Sequence, residues 1–415
     1  MKRPFYGWWI TGMGVLGNAF QGGFIFWTMG IYTSTFEDAF QASRARINLI
    51  ETFLSVGVNG LSPFMGVLID RWSPRHLMSI GMACLGLGLI MISQAGTLFS
   101  VWVVWATLMP LGALLIGVLP SAALISRWFR RRRGLALGLS VTGSSIGGAL
   151  VPPLMTWMFM AWGWRTALLV SGGFCLLFVP VLWAVLRNFP ADIGLEPEPD
   201  DPDPARSVSA VDQREWTIRE MLQTPSFWWQ TLISASLLAV TLGTLANLSL
   251  HAKDLGITGQ KTALLYSVIA FCSFLGKIVM GHLIDRIGVR RSGTLTASLL
   301  ALGMLLLLGL NQYPGLVLAS VVIGLGFGGV TPLWTNMPAR TFGARSIGRA
   351  LGLMNPLHIP ITATSAPLAG WISDTRGSYD LVFIIYLGLC AFAVLGLFLL
   401  RMPRPSSQTQ SSACL

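Results

Sequence analysis

Long apolar runs separated by short polar connections fill the chain, and most reach the roughly 20 residues that a helix needs to cross a hydrocarbon core. Twelve can be marked, at 8–32, 47–69, 77–94, 99–126, 134–160, 166–186, 227–250, 262–284, 293–310, 316–337, 347–373 and 381–400. Within them apolar residues do not alternate with polar ones, which argues against a transmembrane β-barrel built from alternating segments of about ten residues. Their many Gly and Pro residues suit lipid-embedded helices, whose neighbours supply packing and hydrogen bonds. One connection is long. Its acidic, proline-rich stretch 196–204 has nothing to bury and reads as a tether, while 216–222 reads as a short helix at the membrane surface. The pattern predicts an all-α membrane protein with twelve transmembrane helices. A six-helix half at 1–187 is followed by a linker at 188–224, a second six-helix half at 225–401 and a polar tail at 402–415.

Composition agrees with lipid as the solvent. Hydrophobic residues make up 53% of the chain and charged residues 11%, less than half the roughly 25% usual in soluble domains. A net charge of +11 would suit nucleic acid if it lay on one face, but the basic residues cluster in short connections between apolar runs. The bilayer, not nucleic acid, is the expected partner. An even number of spans puts both termini on one side. If that side is cytoplasmic, it carries seventeen basic residues, against Arg44, Arg46, Arg165, Lys253, Lys261 and Arg376 outside. The positive-inside rule therefore predicts a multi-pass protein of the cytoplasmic (plasma) membrane with cytoplasmic termini. Lys2 and Arg3 precede the first run, but no small-residue cleavage site closes it, so a retained span is expected. Four of the five cysteines lie in apolar runs as small hydrophobes, and Cys414 misses the position of a prenylation box.

The second half echoes the first. Gly66, Leu68, Ile69, Asp70, Arg71 and Arg75 recur 215 residues later as Gly281, Leu283, Ile284, Asp285, Arg286 and Arg290. At an offset of 214, Ala136 to Leu139 recur as Ala350 to Leu353, Pro153 as Pro367 and Trp157 as Trp371. Such register marks a duplicated unit, and duplicated halves packed around a central site are the architecture of alternating-access carriers.

The repeated Gly-x-x-x-Asp-Arg-x-x-x-Arg loop resembles the signature of the major facilitator superfamily, and the resemblance extends over nearly the whole chain. More narrowly, Phe5-Tyr-Gly-Trp-Trp-Ile10, the stretch 127–139 with its run of arginines, and Asp192-Ile-Gly-Leu-Glu-Pro197 resemble the branch of monocarboxylate transporters and oxalate/formate antiporters. The resemblance implies the major facilitator fold and a carrier of small organic anions, a monocarboxylate or an oxalate-like acid, driven by protons or by exchange. Asp70, Arg71, Arg75, Asp285, Arg286 and Arg290 become gating candidates, because charge pairs at helix ends can latch one conformation and release it in another. Holding the loops inside is the simpler role for the same arginines, and the two are compatible.

Few charges fall inside the spans. Lys277 lies eight residues before Asp285, about 12 Å along a helix and so near the middle of a core about 30 Å thick. A charge there is costly unless it meets a wet cavity or an anion. His358 lies nine residues after Arg349, at a similar depth of about 13 Å. The family comparison adds that related anion carriers place a cation in span eight, usually arginine, and some a lysine in span eleven. Here lysine replaces the arginine, a point charge for a bidentate fork, and His358 stands near the second position; it could equally be a neutral core residue. Glu51 lies 19 residues before Asp70, about 28 Å away, where a solvated carboxylate at the outer interface is expected. Polar candidates for the site are Asn18, Gln21 and Asn59 in the first half and Asn247, Trp334, Asn336 and Asn355 in the second.

Other signals carry less. Residues 324–329 mimic a phosphate loop without its strand context, and the Gly-x-x-x-Gly pairs at 134/138 and 143/147 read as helix packing. The sequon at Asn247 lies inside a span. No metal-ligand spacing or nucleophile–base set is visible, so neither an enzyme nor a cofactor is expected, and a monomer is. Two rivals remain: a multidrug exporter of the same fold, which would want a buried carboxylate for cationic drugs, and a receptor that binds a small carboxylate without moving it.

Overall fold

The computed structural model describes residues 5–130, 132–196, 216–343 and 346–400, and only the backbone of 66, 67, 70 and 133. Helices stand at all the expected runs, and no strand occurs among the described residues. The first run comprises α1 (Gly7–Gln21), a π-helical turn (Gly22–Trp27) and α2 (Met29–Phe40), extending eight residues beyond the expected boundary. The short α3 (Arg44–Ile47) leads into α4 (Leu49–Arg71) and α5 (Pro74–Ser93). The fourth run is broken into α6 (Leu98–Ala106), α7 (Leu108–Ile116) and α8 (Val118–Trp128), and the first half closes with α9 (Arg133–Trp162) and α10 (Trp164–Val185). The linker stretch 197–215 and the tail lie outside the described residues.

Before the second half stands α11 (Ile218–Gln223), the short helix expected near the end of the linker. Thr217 and Glu220 form its capping box, and Met221 is buried with Phe227, Phe342, Ala350 and Met354. Then follow α12 (Pro225–Asp254), α13 (Gln260–Gly309), α14 (Tyr313–Phe342), α15 (Ile347–Arg376) and α16 (Asp380–Leu399). Among the described residues, eight helical stretches are long and apolar enough to cross a membrane, one of them the 50-residue α13. α13 holds the eighth and ninth expected runs, and Gly288 breaks its helical geometry between them with φ +85° and ψ 162°. That left-handed region is open to glycine at no steric cost. The same turn in the first half is made by extended Trp72 and Ser73 before Pro74 starts α5.

Each half has its own apolar core. Residues from Ile10 to Leu186 form one cluster, joined only by Ala246 and Ala366; residues from Ile233 to Leu400 form another, joined by Trp27 and Ile31. Between the halves, α4 packs along α15, α9 along α13 and α2 along α12. Within the first half, α9 approaches the first run closely at glycines: a Cβ on Gly143 or Gly147 would collide with the carbonyl oxygens of Val15 and Ala19. This is the packing role expected of the 143/147 pair. Gly134 and Gly138 face open space instead, so the second pair has no such role.

Candidate functional site

Lys277 projects from α13 toward the other half, where its Nζ donates to Ser145 Oγ of α9 at 3.0 Å. Ser145 is buried and Lys277 half-buried. An ammonium group has three hydrogens to donate, and among the described residues Ser145 is its one hydrogen-bond partner, with no carboxylate in ion-pair distance. A cation midway along an apolar bundle is thus left without a counter-charge. His358 is buried on α15 and its Nε2 lies 3.0 Å from Ser234 Oγ of α12, while its Nδ1 has no partner. Lys277 therefore bonds across the halves and His358 within the second half; among the described residues no hydrogen bond joins the two.

The amide candidates divide the same way. Asn18 is fully buried and donates to Gly14 O, Ser121 Oγ and Ser140 Oγ, all in the first half. Gln21 donates to Ala113 O, Asn59 to Ser55, and Asn336 to Pro332 O one turn back. Trp334 packs against the cluster around Phe342 with its indole nitrogen unpartnered. Only Asn247 and Asn355 cross the halves: Asn48 donates to Asn247 Oδ1 at 2.7 Å, and Asn355 donates to Ser62 Oγ at 2.7 Å.

The ends of the bundle differ. At the end carrying the repeated signature loops, the described charge contacts stay within one half. Arg75 donates to Trp183 O and stacks over its ring, Arg290 donates to Leu400 O at 2.7 Å, and Arg340 pairs with Asp285 at 3.2 Å. Arg75 and Arg290, equivalent in the repeat, thus fasten the last helix of their respective halves. Arg71 and Arg286 are exposed, and the Asp70 side chain lies outside the described residues.

At the far end the charges join the halves, an arrangement that loop-counting in the sequence does not reveal. Arg44 grips Asp254 with two bonds of 2.6 and 2.5 Å, Ser373 Oγ at 3.0 Å and, within its own half, Glu37 at 2.8 Å. Its bonds to Asp254 raise the guanidinium's already high affinity for its proton, against the opposing effect of partial burial. Lys253 bonds Glu37 at 2.8 Å and Asp38 at 2.6 Å, and Asp374 accepts from the Arg44 and Ala45 backbone at the start of α3. Deeper in the same seam, Thr52 donates to Ala363 O at 2.6 Å and Ser55 meets Thr362 at 3.0 Å.

Glu51 departs from its expected setting. It is only 3% exposed, on a helix along which α15 packs. Two spaces are visible nearby: a water-sized cavity of about 10 Å³ lined by Asn247, His251, Tyr379 and Tyr386 among others, and a shallow groove of about 470 Å³ along α4 and α15 with Arg46 and Trp371 on its walls. Neither is lined by Lys277 or His358.

A family model described as Major Facilitator Superfamily matches residues 14–357 and 241–414. Relatives include monocarboxylate transporter 12 of Rattus norvegicus, 25% identical over 393 residues that cover 88% of this chain and 79% of that protein. Monocarboxylate transporter 13 of Bos taurus is 27% identical over 391 residues, covering 92% and 87%. The fold is similar to a crystal structure of a bacterial homolog to the human lysosomal transporter Spinster, in an inward-facing and unoccupied conformation, with a TM-score of 0.67 and 15% identity over 96% of this chain and 95% of that one.

Proposed function

The chain belongs to the major facilitator superfamily and is an integral, multi-pass membrane transporter rather than an enzyme; from that premise we propose that it is a secondary carrier of a small carboxylate, working by alternating access through twelve transmembrane helices. The observation that carries the reading is Lys277, a half-buried ammonium between the halves whose one described partner is a neutral serine. Replacing its missing counter-charge with a substrate carboxylate offsets the cost of holding it there. The relatives, named as monocarboxylate transporters, support the same substrate class. His358 is the second cation candidate, and the amides Asn18, Gln21, Asn59, Asn247, Asn336 and Asn355 with Trp334 are proposed as the polar surroundings.

The arginine-rich end is proposed to be cytoplasmic by the charge bias, with the protein as a monomer in the plasma membrane. The conformation described is then sealed outside by Arg44, Lys253 and their carboxylates, with the substrate path leading inward. Asp70, Arg71, Arg75, Asp285, Arg286 and Arg290 are proposed to change partners when the cytoplasmic end closes. Counterflow into proteoliposomes preloaded with a panel of mono- and dicarboxylates tests this reading. At least one acid should accelerate uptake of its labelled form; if no member of the panel does so, the carrier reading fails. One observation favours a second reading, an exporter of cationic compounds: Glu51 is the buried carboxylate such an exporter would want. Efflux of a lipophilic cation that is lost in Glu51→Gln would select it.

A further inference from the structure

Glu51 takes no part in holding the anion, yet it sits inside the outer seal. Asn48 at the N-cap of α4 and Glu51, Ser55, Asn59 and Ser62 within it follow one another at steps of three or four residues, which places them on one helix face. The members on either side of Glu51 bond across the seam, Asn48 to Asn247 at 2.7 Å and Ser55 with Thr362 at 3.0 Å. Glu51 therefore faces the closing surface between the halves. Among the described residues, no hydrogen bond or ion pair reaches its carboxylate.

Among the described residues, no counter-ion reaches it from the elements packed around α4; on α8, Arg127 stacks over Phe189. α6 and α7, which flank α4, carry no ionisable side chain. On α15, His358 is bonded to Ser234, Asp374 caps α3, and Arg349 and Arg376 stand at the helix ends. On α3, Arg44 is occupied by Glu37 and Asp254, and Arg46 is exposed. On α12, Lys253 is matched by Glu37 and Asp38, and His251 lies edge-on to Tyr379 and Phe383. From α16, the Tyr386 hydroxyl meets Ser365 Oγ at 3.0 Å and brings no positive charge. Holding a carboxylate this buried in its charged form, without a cation or donors, is costly.

We infer that Glu51 is a proton-binding site that controls the outer seal: the halves close over it when its carboxyl group has taken one proton from the outer solution, and opening toward the outside lets that proton return to water. The inference rests on the transporter reading only in needing two conformations, and not on the identity of the substrate. Spin labels at Gly96→Cys and Arg376→Cys, on the outer ends of the two halves, report the seal in cysteine-free full-length protein in nanodiscs. The ratio of open to closed molecules should rise with pH, by up to about tenfold per unit for a single proton. Glu51→Gln should stay closed at every pH, and Glu51→Asp should keep the response. Distances in the unsubstituted protein that ignore pH overturn the inference, as does a Glu51→Gln that responds as the parent does. If the glutamine variant does not fold, the parent and the aspartate variant still decide. No substrate is used, so a normal pH response without carboxylate counterflow would sink the functional reading alone, and counterflow without a pH response would sink this one alone.

Discussion

Arg44→Ala should open the outer side of the molecule. The substitution removes two bonds to Asp254 and one to Ser373, all of which cross between the halves, while the backbone contacts of Asp374 at the start of α3 survive. A charge-assisted hydrogen bond contributes about 1.5–3 kcal/mol when well shielded, but an exposed ion pair contributes only about 0–1 kcal/mol. The Arg44 side chain is 14% exposed and that of Asp254 36%, so the pair lies between those cases and the three bonds together are worth about 2 kcal/mol. That is about a thirtyfold shift of the closed–open ratio toward open. The labels at Gly96→Cys and Arg376→Cys measure the ratio directly. Arg44→Lys keeps the charge but not the two-pronged geometry, and should fall between alanine and the parent. An unchanged distance distribution in Arg44→Ala would show that the network decorates the seal without holding it.

Gly147→Ala should lower thermal stability by about 1–3 kcal/mol through overpacking, since the added carbon meets the Ala19 carbonyl of the first run; a scan of melting temperature checks it. Arg290→Ala should cost about 1 kcal/mol by releasing the Leu400 carbonyl, and Arg75→Ala should act alike on the other half through Trp183, both read by thermal unfolding. Ser145→Ala frees the Lys277 ammonium from its resting partner and should tighten carboxylate binding by up to about tenfold. Weaker binding in that variant would mean that Ser145 holds the anion as well.

Much of the fold is legible in the sequence because lipid imposes a simple rule: about 20 apolar residues per crossing, charges at the ends. Lys277 stands out by the same rule, as a charge where none is expected. The breaks within the first and fourth runs are not legible, since they depend on how neighbouring helices re-satisfy the backbone. Glu51 shows a second limit. Distance along α4 places it near the outer end, but only the packing of α15 decides whether that end is wet. The pairs of Arg44 with Asp254 and of Lys253 with Glu37 are missed for a related reason: the partners lie more than 200 residues apart in sequence, and counting charges by side gives orientation but not pairing. Asn18 shows a third limit: its amide nitrogen donates only within one half, while its oxygen stays unpartnered, and sequence position reveals neither.

On the reading proposed here, the Lys277 ammonium waits for an anion. Thermal unfolding of purified protein with and without the carboxylate that supports counterflow tests it most directly, in the parent and in Lys277→Met. The parent should be stabilised by the acid, by about 2.7 kcal/mol at a hundredfold excess over the dissociation constant. Lys277→Met should melt higher than the parent without ligand, because an unpaired charge has been replaced by an apolar chain, and should gain nothing from the acid. A Lys277→Met variant that is still stabilised by the carboxylate would contradict the account.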